Sequence, residues 1–234
     1  MKFYRNPHPF KVISFDLDDT LYDNRDVIRR AVSRFVQYTR TLTQCPTFET
    51  EWLAWKDRIA QENPLLSEDV TEWRKEALRQ FLHAQNKSAV EIDRTLSLAM
   101  HEFLHWRHQI DLPQETFRIL NELKNRYKLS VITNGNVDPS RIGLSQFDLI
   151  LRGGEHGRAK PHKDLFLQTA DYFNVSPQEI LHVGDHLTTD VQGAIQAGCQ
   201  AVWINLSDNQ IADFTTATLL PTLEINHLTE LLLL

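Results

Sequence analysis

The chain has 234 residues, 41% of them hydrophobic, which is enough to bury one large core or two modest ones. Its formal charge of -6 excludes the basic stripe of a phosphate-tracking nucleic-acid binder, no apolar run approaches a membrane span, and MKFYRNPHPF lacks the apolar segment of a secretion signal. Cys45 and Cys199 lie far apart and indicate neither a disulfide framework nor a cysteine zinc site, so a reducing cytoplasm is the expected location.

The first element in chain order is the apolar run Val12-Ile13-Ser14-Phe15, which reads as a buried strand. Asp16-Leu17-Asp18-Asp19-Thr20 follows it directly. Alternate residues of a strand point the same way, so Asp16 and Asp18 are expected to project together from its C-terminal end, with Asp19 turned aside. Two carboxylates about 5 Å apart repel by on the order of 3 kcal/mol at an effective dielectric near 20. Turn hydrogen bonding and a bound metal ion are both answers to that repulsion.

From Asn24 to about Leu112 the periodicity is helical throughout, which predicts an inserted helical domain. Its first helix places Ile28, Ala31, Val32, Phe35 and Leu42 on one face, and its second places Phe48, Trp52, Trp55 and Ile59. A third is expected over Glu68 to Gln85, with Trp73, Ala77, Phe81 and Leu82 inward, so the tryptophans read as packing. The fourth opens on the capping-box pattern Ser88-x-x-Glu91 and buries Ile92, Leu96, Ala99 and Phe103. Four antiparallel helices with short connections make a bundle, residues 23–112, between the two parts of a sheet domain, residues 1–22 and 113–234.

After the bundle, the runs KLSVIT, FDLIL, EILHV and QAVWIN alternate with helical stretches, which predicts an α/β domain with a mostly parallel sheet. One of those helices is expected to start at a Thr188 or Thr189 cap and to run through Ala197 to Gly198. Ligands bind at the C-terminal ends of strands in such sheets, and polar residues recur there. Thr133-Asn134-Gly135 offers a hydroxyl and backbone N–H groups suited to phosphate oxygens, while an Asn-Gly hairpin is disfavoured because no alternating strand follows. Gly184-Asp185 and Asp190 add two more carboxylates. Lys160 lies in an extended position before Pro161, where a lone lysine would ordinarily only meet solvent. His182 reads as a hydrogen-bonded histidine of the core or beside the site, and His186 as one facing water or solvent.

In their order along the chain, Asp16-Leu17-Asp18-Asp19-Thr20, Thr133, Lys160 and Gly184-Asp185 through Asp190 resemble the four motifs of the haloacid-dehalogenase-like superfamily. The resemblance covers the sheet domain, and the helical insertion matches that family's C1 cap, so it implies a Rossmann-like core with a cap that governs specificity. It implies a magnesium-dependent phosphatase in which Asp16 attacks phosphorus to give an aspartyl-phosphate, and Asp18 acts as acid and then base. Magnesium would be held by Asp16, the Asp18 carbonyl and Asp185. Thr133 and Asn134 would bind phosphoryl oxygens, Lys160 would offset negative charge, and Asp190 would orient Lys160 or the metal's water shell. Asn24 and Arg158, near the expected mouth, are candidate substrate contacts. Dehalogenases of the superfamily lack the aspartate at position 18, whereas a phosphomutase would share every core residue.

The texture of FDLDDTLYDNR, ITNGN, HGRAKP and EILHVGDHLTTDVQGAI is similar to that of bacterial phosphatases acting on flavin mononucleotide and on 5-amino-6-(5-phosphoribitylamino)uracil, a riboflavin precursor. A small phosphorylated metabolite is therefore the expected partner, with nucleotides and sugar phosphates as alternatives, and the protein is expected to be a monomer or weak homodimer. A competing motif is His101-Glu102-Phe103-Leu104-His105, followed by His108, which matches the pattern of zinc peptidases. Phe103 already belongs to the buried stripe of that helix, which leaves the histidines beside it at the solvated edge of the bundle.

Overall fold

A computed structural model describes residues 1–207, 210–214 and 218–234. The chain divides into two compact units, one of residues 1–23, 111–135 and 143–234, the other of residues 24–110 and 136–142.

In the first unit the described residues form a seven-stranded sheet of β1 (Lys2–Phe3), β2 (Val12–Phe15), β3 (Lys128–Thr133), β4 (Leu149–Arg152), β5 (Ile180–Gly184), β6 (Gln200–Ile204) and β7 (Leu223–Ile225). Their spatial order is β1-β7-β6-β5-β2-β3-β4. All pairings are parallel except that of β1 with β7. β2, β5 and β6 are buried at every position, which is why they appear in the sequence as mostly apolar runs without polar alternation, broken only by the buried Ser14, His182 and Gln200. The short strands β1, at the sheet edge, and β7 beside it lack that signature and were not expected. Between the strands run α6 (Gln114–Lys124), α7 (Asp164–Phe173) and α8 (Gly193–Gln196), here numbered after the five helices of the second unit. Leu165 and Phe166 of α7 pack with Ile132, Ile180, Ala201 and Trp203 of the strands. β2 stands between β3 and β5, so the chain order reverses across it, and the crevice expected at such a reversal opens beyond the carboxyl ends of β2 and β5.

One helix differs from expectation. A π-helical stretch, Leu187–Gln192, precedes α8, and its cap is His186, whose Nδ1 accepts the Thr188 and Thr189 N–H groups. Neither threonine supplies the cap, because the imidazole reaches both orphan donors first.

The second unit holds α1 (Arg25–Thr43), α2 (Phe48–Glu62), α3 (Pro64–Glu68), α4 (Val70–Ala84) and α5 (Ala89–Arg107) around a core rich in aromatic rings. The Phe35 ring meets those of Trp52 at 5.0 Å, Phe48 at 6.0 Å and Phe103 at 6.1 Å. α1 buries Val27, Ala31, Phe35, Val36 and Thr39. Leu42, expected on that face, is exposed, since the stripe drifts around the helix over so many turns. The helix expected over Glu68 to Gln85 is broken at Asp69, whose carboxylate accepts the Thr71 and Glu72 N–H groups at 2.9 Å and caps α4. The capping box at Ser88 and Glu91 forms as the spacing predicts. Among the described residues no helix is long and apolar enough to cross a membrane.

Candidate active site

Asp16 follows β2 directly, and its N–H donates to the Val183 carbonyl at 2.9 Å, so the sheet continues one residue past the strand. The chain then turns sharply, with the Leu21 N–H donating to the Leu17 carbonyl at 2.9 Å. Asp19 takes the left-handed conformation at φ 57°, a region that aspartate tolerates better than most residues.

Lys160 enters the same crevice from the loop before α7 and is 4% exposed. Its Nζ donates to Asp16 Oδ1 at 2.8 Å, Asp190 Oδ1 at 2.6 Å and the Ile132 carbonyl at 2.6 Å. Three donors thus meet three acceptors, which is what a buried ammonium requires. The Asn134 side chain holds that loop by its main chain: its Nδ2 donates to the Lys160 carbonyl and its Oδ1 accepts the Lys160 N–H, both at 2.8 Å. Both amide atoms are thus committed to holding the Lys160 loop. Thr133, buried, accepts the Gly135 N–H through Oγ1 at 2.9 Å and keeps its hydroxyl proton for donation.

Asp185 and Asp190 come from the end of β5 and the π-helical stretch after it. The close approach of Asp190 to the strand requires glycine at 184, where a Cβ would overlap the Asp190 carboxylate. Asp190 Oδ1 also meets His182 Nε2 at 3.2 Å, and its Oδ2 accepts the His186 N–H at 3.0 Å.

Among the described residues, Asp16, Asp185 and Asp190 form a cluster able to hold a metal ion, each offering one oxygen, all within 4.8 Å of one another. Burial pushes the Asp16 carboxyl well above the usual carboxylate range; Lys160 opposes that shift, whereas the Asp190 and Asp18 charges add to it. Asp185 is raised to about 7 by burial, then by the charges of Asp190 and Asp19. Asp190 is held far below its usual value: burial raises it, but Lys160 and the His182 hydrogen bond outweigh the burial. Three hard oxygen donors with two carboxylates pushed toward protonation suit a hard divalent cation, whose charge would restore both to the ionised form.

Asp18 stands outside this cluster, half-buried, and its Oδ1 accepts the Tyr22 hydroxyl at 2.6 Å. The Thr20 hydroxyl lies 3.5 Å from Asp185 Oδ1. Asn24 precedes α1 without capping it through its side chain. Arg158 is exposed, and its N–H donates to Asp164 Oδ2 at 3.2 Å. Ser14 was missed in the sequence. A hydroxyl inside an apolar strand was the available signal, and its Oγ lies 2.9 Å from His182 Nδ1.

The histidine motif of α5 does not assemble. His101 and His105 are exposed, and Glu102 accepts the Trp106 indole N–H at 2.8 Å. His108 has both ring nitrogens engaged, one with the Leu104 carbonyl and the other with the Asp138 N–H.

Comparison with known proteins agrees with this geometry. Residues 10–198 match the haloacid dehalogenase-like hydrolase family. The chain is 40% identical over 234 residues to the 5-amino-6-(5-phospho-D-ribitylamino)uracil phosphatase YigB of Escherichia coli, covering 99% of this chain and 98% of that protein. It is 27% identical to N-acylneuraminate-9-phosphatase of Rattus norvegicus, over 84% of this chain and 83% of the relative. Among solved structures, a 2-haloacid dehalogenase from Pseudomonas syringae pv. Tomato superposes with a TM-score of 0.86 at 30% identity, covering 95% of this chain and 96% of that one. The HAD-hydrolase YfnB of Bacillus subtilis, solved with magnesium, has a TM-score of 0.63 at 20% identity over 96% of this chain and 97% of its own, and shares the fold.

Proposed function

The chain belongs to the haloacid dehalogenase-like hydrolases, and within that family we propose that it hydrolyses a small ribityl-type phosphomonoester through a phosphorylated Asp16. The observation that carries this reading is the contrast between two carboxylates of one loop: Asp16 is buried and bonded to Lys160, while Asp18 lies outside the metal-binding cluster against the Tyr22 hydroxyl. Carboxylates in such different surroundings can take different roles in one reaction.

Asp16 attacks phosphorus in line, so that an O–P bond forms as the bond from phosphorus to the leaving oxygen breaks. Asp18 gives that oxygen a proton, so the alcohol departs and Asp18 remains as a carboxylate. It then takes a proton from water as the water oxygen attacks the phosphoryl group. The acyl-phosphate O–P bond breaks, returning the Asp16 carboxylate and inorganic phosphate. Lys160 keeps Asp16 oriented throughout, and Thr133 with the Asn134 N–H faces the phosphoryl oxygens. Asp16 and Asp185, with the Asp18 carbonyl, are the groups we assign to magnesium. Asp190 supports Lys160, because both its oxygens already accept hydrogen bonds. Magnesium, when bound, supplies positive charge against the phosphate oxygens.

The ribityl-type substrate rests on the full-length similarity to the Escherichia coli uracil-derivative phosphatase. A metabolite panel tests it: kcat/KM should be higher for 5-amino-6-(5-phosphoribitylamino)uracil and flavin mononucleotide than for ribose 5-phosphate or a pyrimidine nucleotide. The reverse ranking would overturn the substrate assignment and leave the chemistry standing. The likeness to a haloacid dehalogenase raises a second reading, which Asp18 opposes. No halide should be released from 2-chloropropionate.

A further inference from the structure

Ser14 and His182 sit directly opposite each other in the register of β2 and β5, and both are wholly buried. The imidazole is fixed in plane by the Phe166 ring, edge-on at 5.0 Å and 89°. Its Nε2 faces Asp190 Oδ1 at 3.2 Å and its Nδ1 faces Ser14 Oγ at 2.9 Å. Asp190 is acceptor-only when ionised, so Nε2 must carry a proton; otherwise two acceptors would confront each other in a dry interior. An imidazolium there would be a second buried cation sharing with Lys160 the same Asp190 oxygen, with no further carboxylate among the described residues to balance it in the strand interior. The ring is therefore neutral, and Nδ1 is left to accept the Ser14 hydroxyl proton. Side-chain contacts then run from Ser14 through His182, Asp190 and Lys160 to Asp16, two residues beyond Ser14 on the same chain segment.

We propose that His182, held as the Nε2–H tautomer between Asp190 and the Ser14 hydroxyl, is a positioning residue that aims Asp190 at Lys160 and thereby sets the orientation of Asp16. This role rests on the assignment of Asp16 as nucleophile, but the tautomer is a property of the resting protein. Because Asp190 Oδ1 accepts from both His182 and Lys160, loss of the imidazole donor leaves the carboxylate held only by Lys160 and the His186 N–H, so that it can tilt, and Lys160 tilts with it. Outer partners of this kind are worth about 10–100-fold in activity.

Two measurements test the role. In nitrogen-15 NMR of the whole protein, His182 should show a protonated Nε2 and an unprotonated Nδ1, and Ser14→Ala should keep that tautomer while shifting the Nδ1 resonance, which loses its hydrogen-bond donor. A protonated Nδ1 in the native protein, or an Nδ1 resonance unmoved by Ser14→Ala, would overturn this arrangement whatever the activity proves to be. In kinetics, His182→Gln retains a donor near the Nε2 position and His182→Asn does not. The glutamine variant should stay within about fivefold of native kcat, and the asparagine variant should lose about 10–100-fold with KM nearly unchanged. Equal kcat in the two variants, or a change confined to KM, would show that His182 only fills space. Should either fail to fold, Ser14→Ala carries the kinetic test, with a several-fold fall in kcat expected and none contradicting the role.

Discussion

Asp16 and Asp18 illustrate how a single loop divides its tasks at the scale of one residue. Replacing Asp16 by asparagine should lower kcat by about 10⁴-fold or more, since the carboxylate assigned to attack phosphorus is lost. Steady-state assays on purified protein check this, and native-like turnover by Asp16→Asn would exclude the role. Cysteine chemistry gives an independent check of the interior. Cys199 is buried, and burial pushes its thiol up to about 12, so at pH 8 only about one thiol in ten thousand is ionised. Iodoacetamide should therefore label Cys45 alone in the folded protein and both cysteines in urea, as peptide mass spectrometry would show. Asp16, Asp18, Asp185 and Thr133 were legible because each lies at or just past a strand end, whereas Lys160 beside its proline reads as a solvent lysine without the family resemblance that gives it a role. Ser14 was not legible, because one hydroxyl in an apolar strand carries no sign of the partner it meets across the sheet.

At the scale of elements, the helical unit shows which signals survive in a sequence. The Ser88 capping box is local and was legible, whereas the break at Asp69 was not, since helical periodicity continues on both sides of a single capping residue. Two buried groups in this unit give opposite expectations for stability. His108 donates from Nδ1 to the Leu104 carbonyl at 2.6 Å and accepts the Asp138 N–H through Nε2 at 2.9 Å, which needs the neutral ring. Burial lowers its pKa below the ordinary 6.5. The unfolded chain then binds the proton more readily than the folded one, so stability is fully present above about pH 6.5 and falls as pH drops toward the depressed folded value. Urea midpoints at pH 7.5 and 5.5 should separate less in His108→Gln than in the native protein, and equal separations would contradict the assignment. Arg74 lies over the Phe103 ring at 3.8 Å, and its Nε and Nη1 find no hydrogen-bond partner among the described residues. Burial, then the nearby Arg107 charge, lowers its pKa to about 10. Methionine preserves the packing and removes a buried charge, so Arg74→Met should be neutral or stabilising in urea unfolding, while Arg74→Ala should cost about 2–5 kcal/mol for the cavity. Equal losses in the two would mean that the ring contacts outweigh the desolvation of the charge.

For the whole molecule, the alternation of apolar runs with helices was enough to expect a parallel sheet, because strands covered on both faces leave that pattern in the chain. The strand order was not readable, since parallel pairing depends on crossovers rather than on neighbouring residues. Nor does local sequence show that residues 136–142 pack within the helical unit, where Asn136 Nδ2 donates to Thr71 Oγ1 at 3.3 Å. Both units derive from one chain, but the proposed chemistry resides in the sheet unit and turns on a bond to Asp16. The most direct test is peptide mass spectrometry of Asp18→Asn protein quenched in acid after brief incubation with magnesium and flavin mononucleotide. One phosphoryl group should appear on the peptide containing Asp16 and be absent when Asp16 is also asparagine. Phosphate release by the native enzyme with no phosphoryl group trapped on that peptide in any variant would contradict the covalent mechanism.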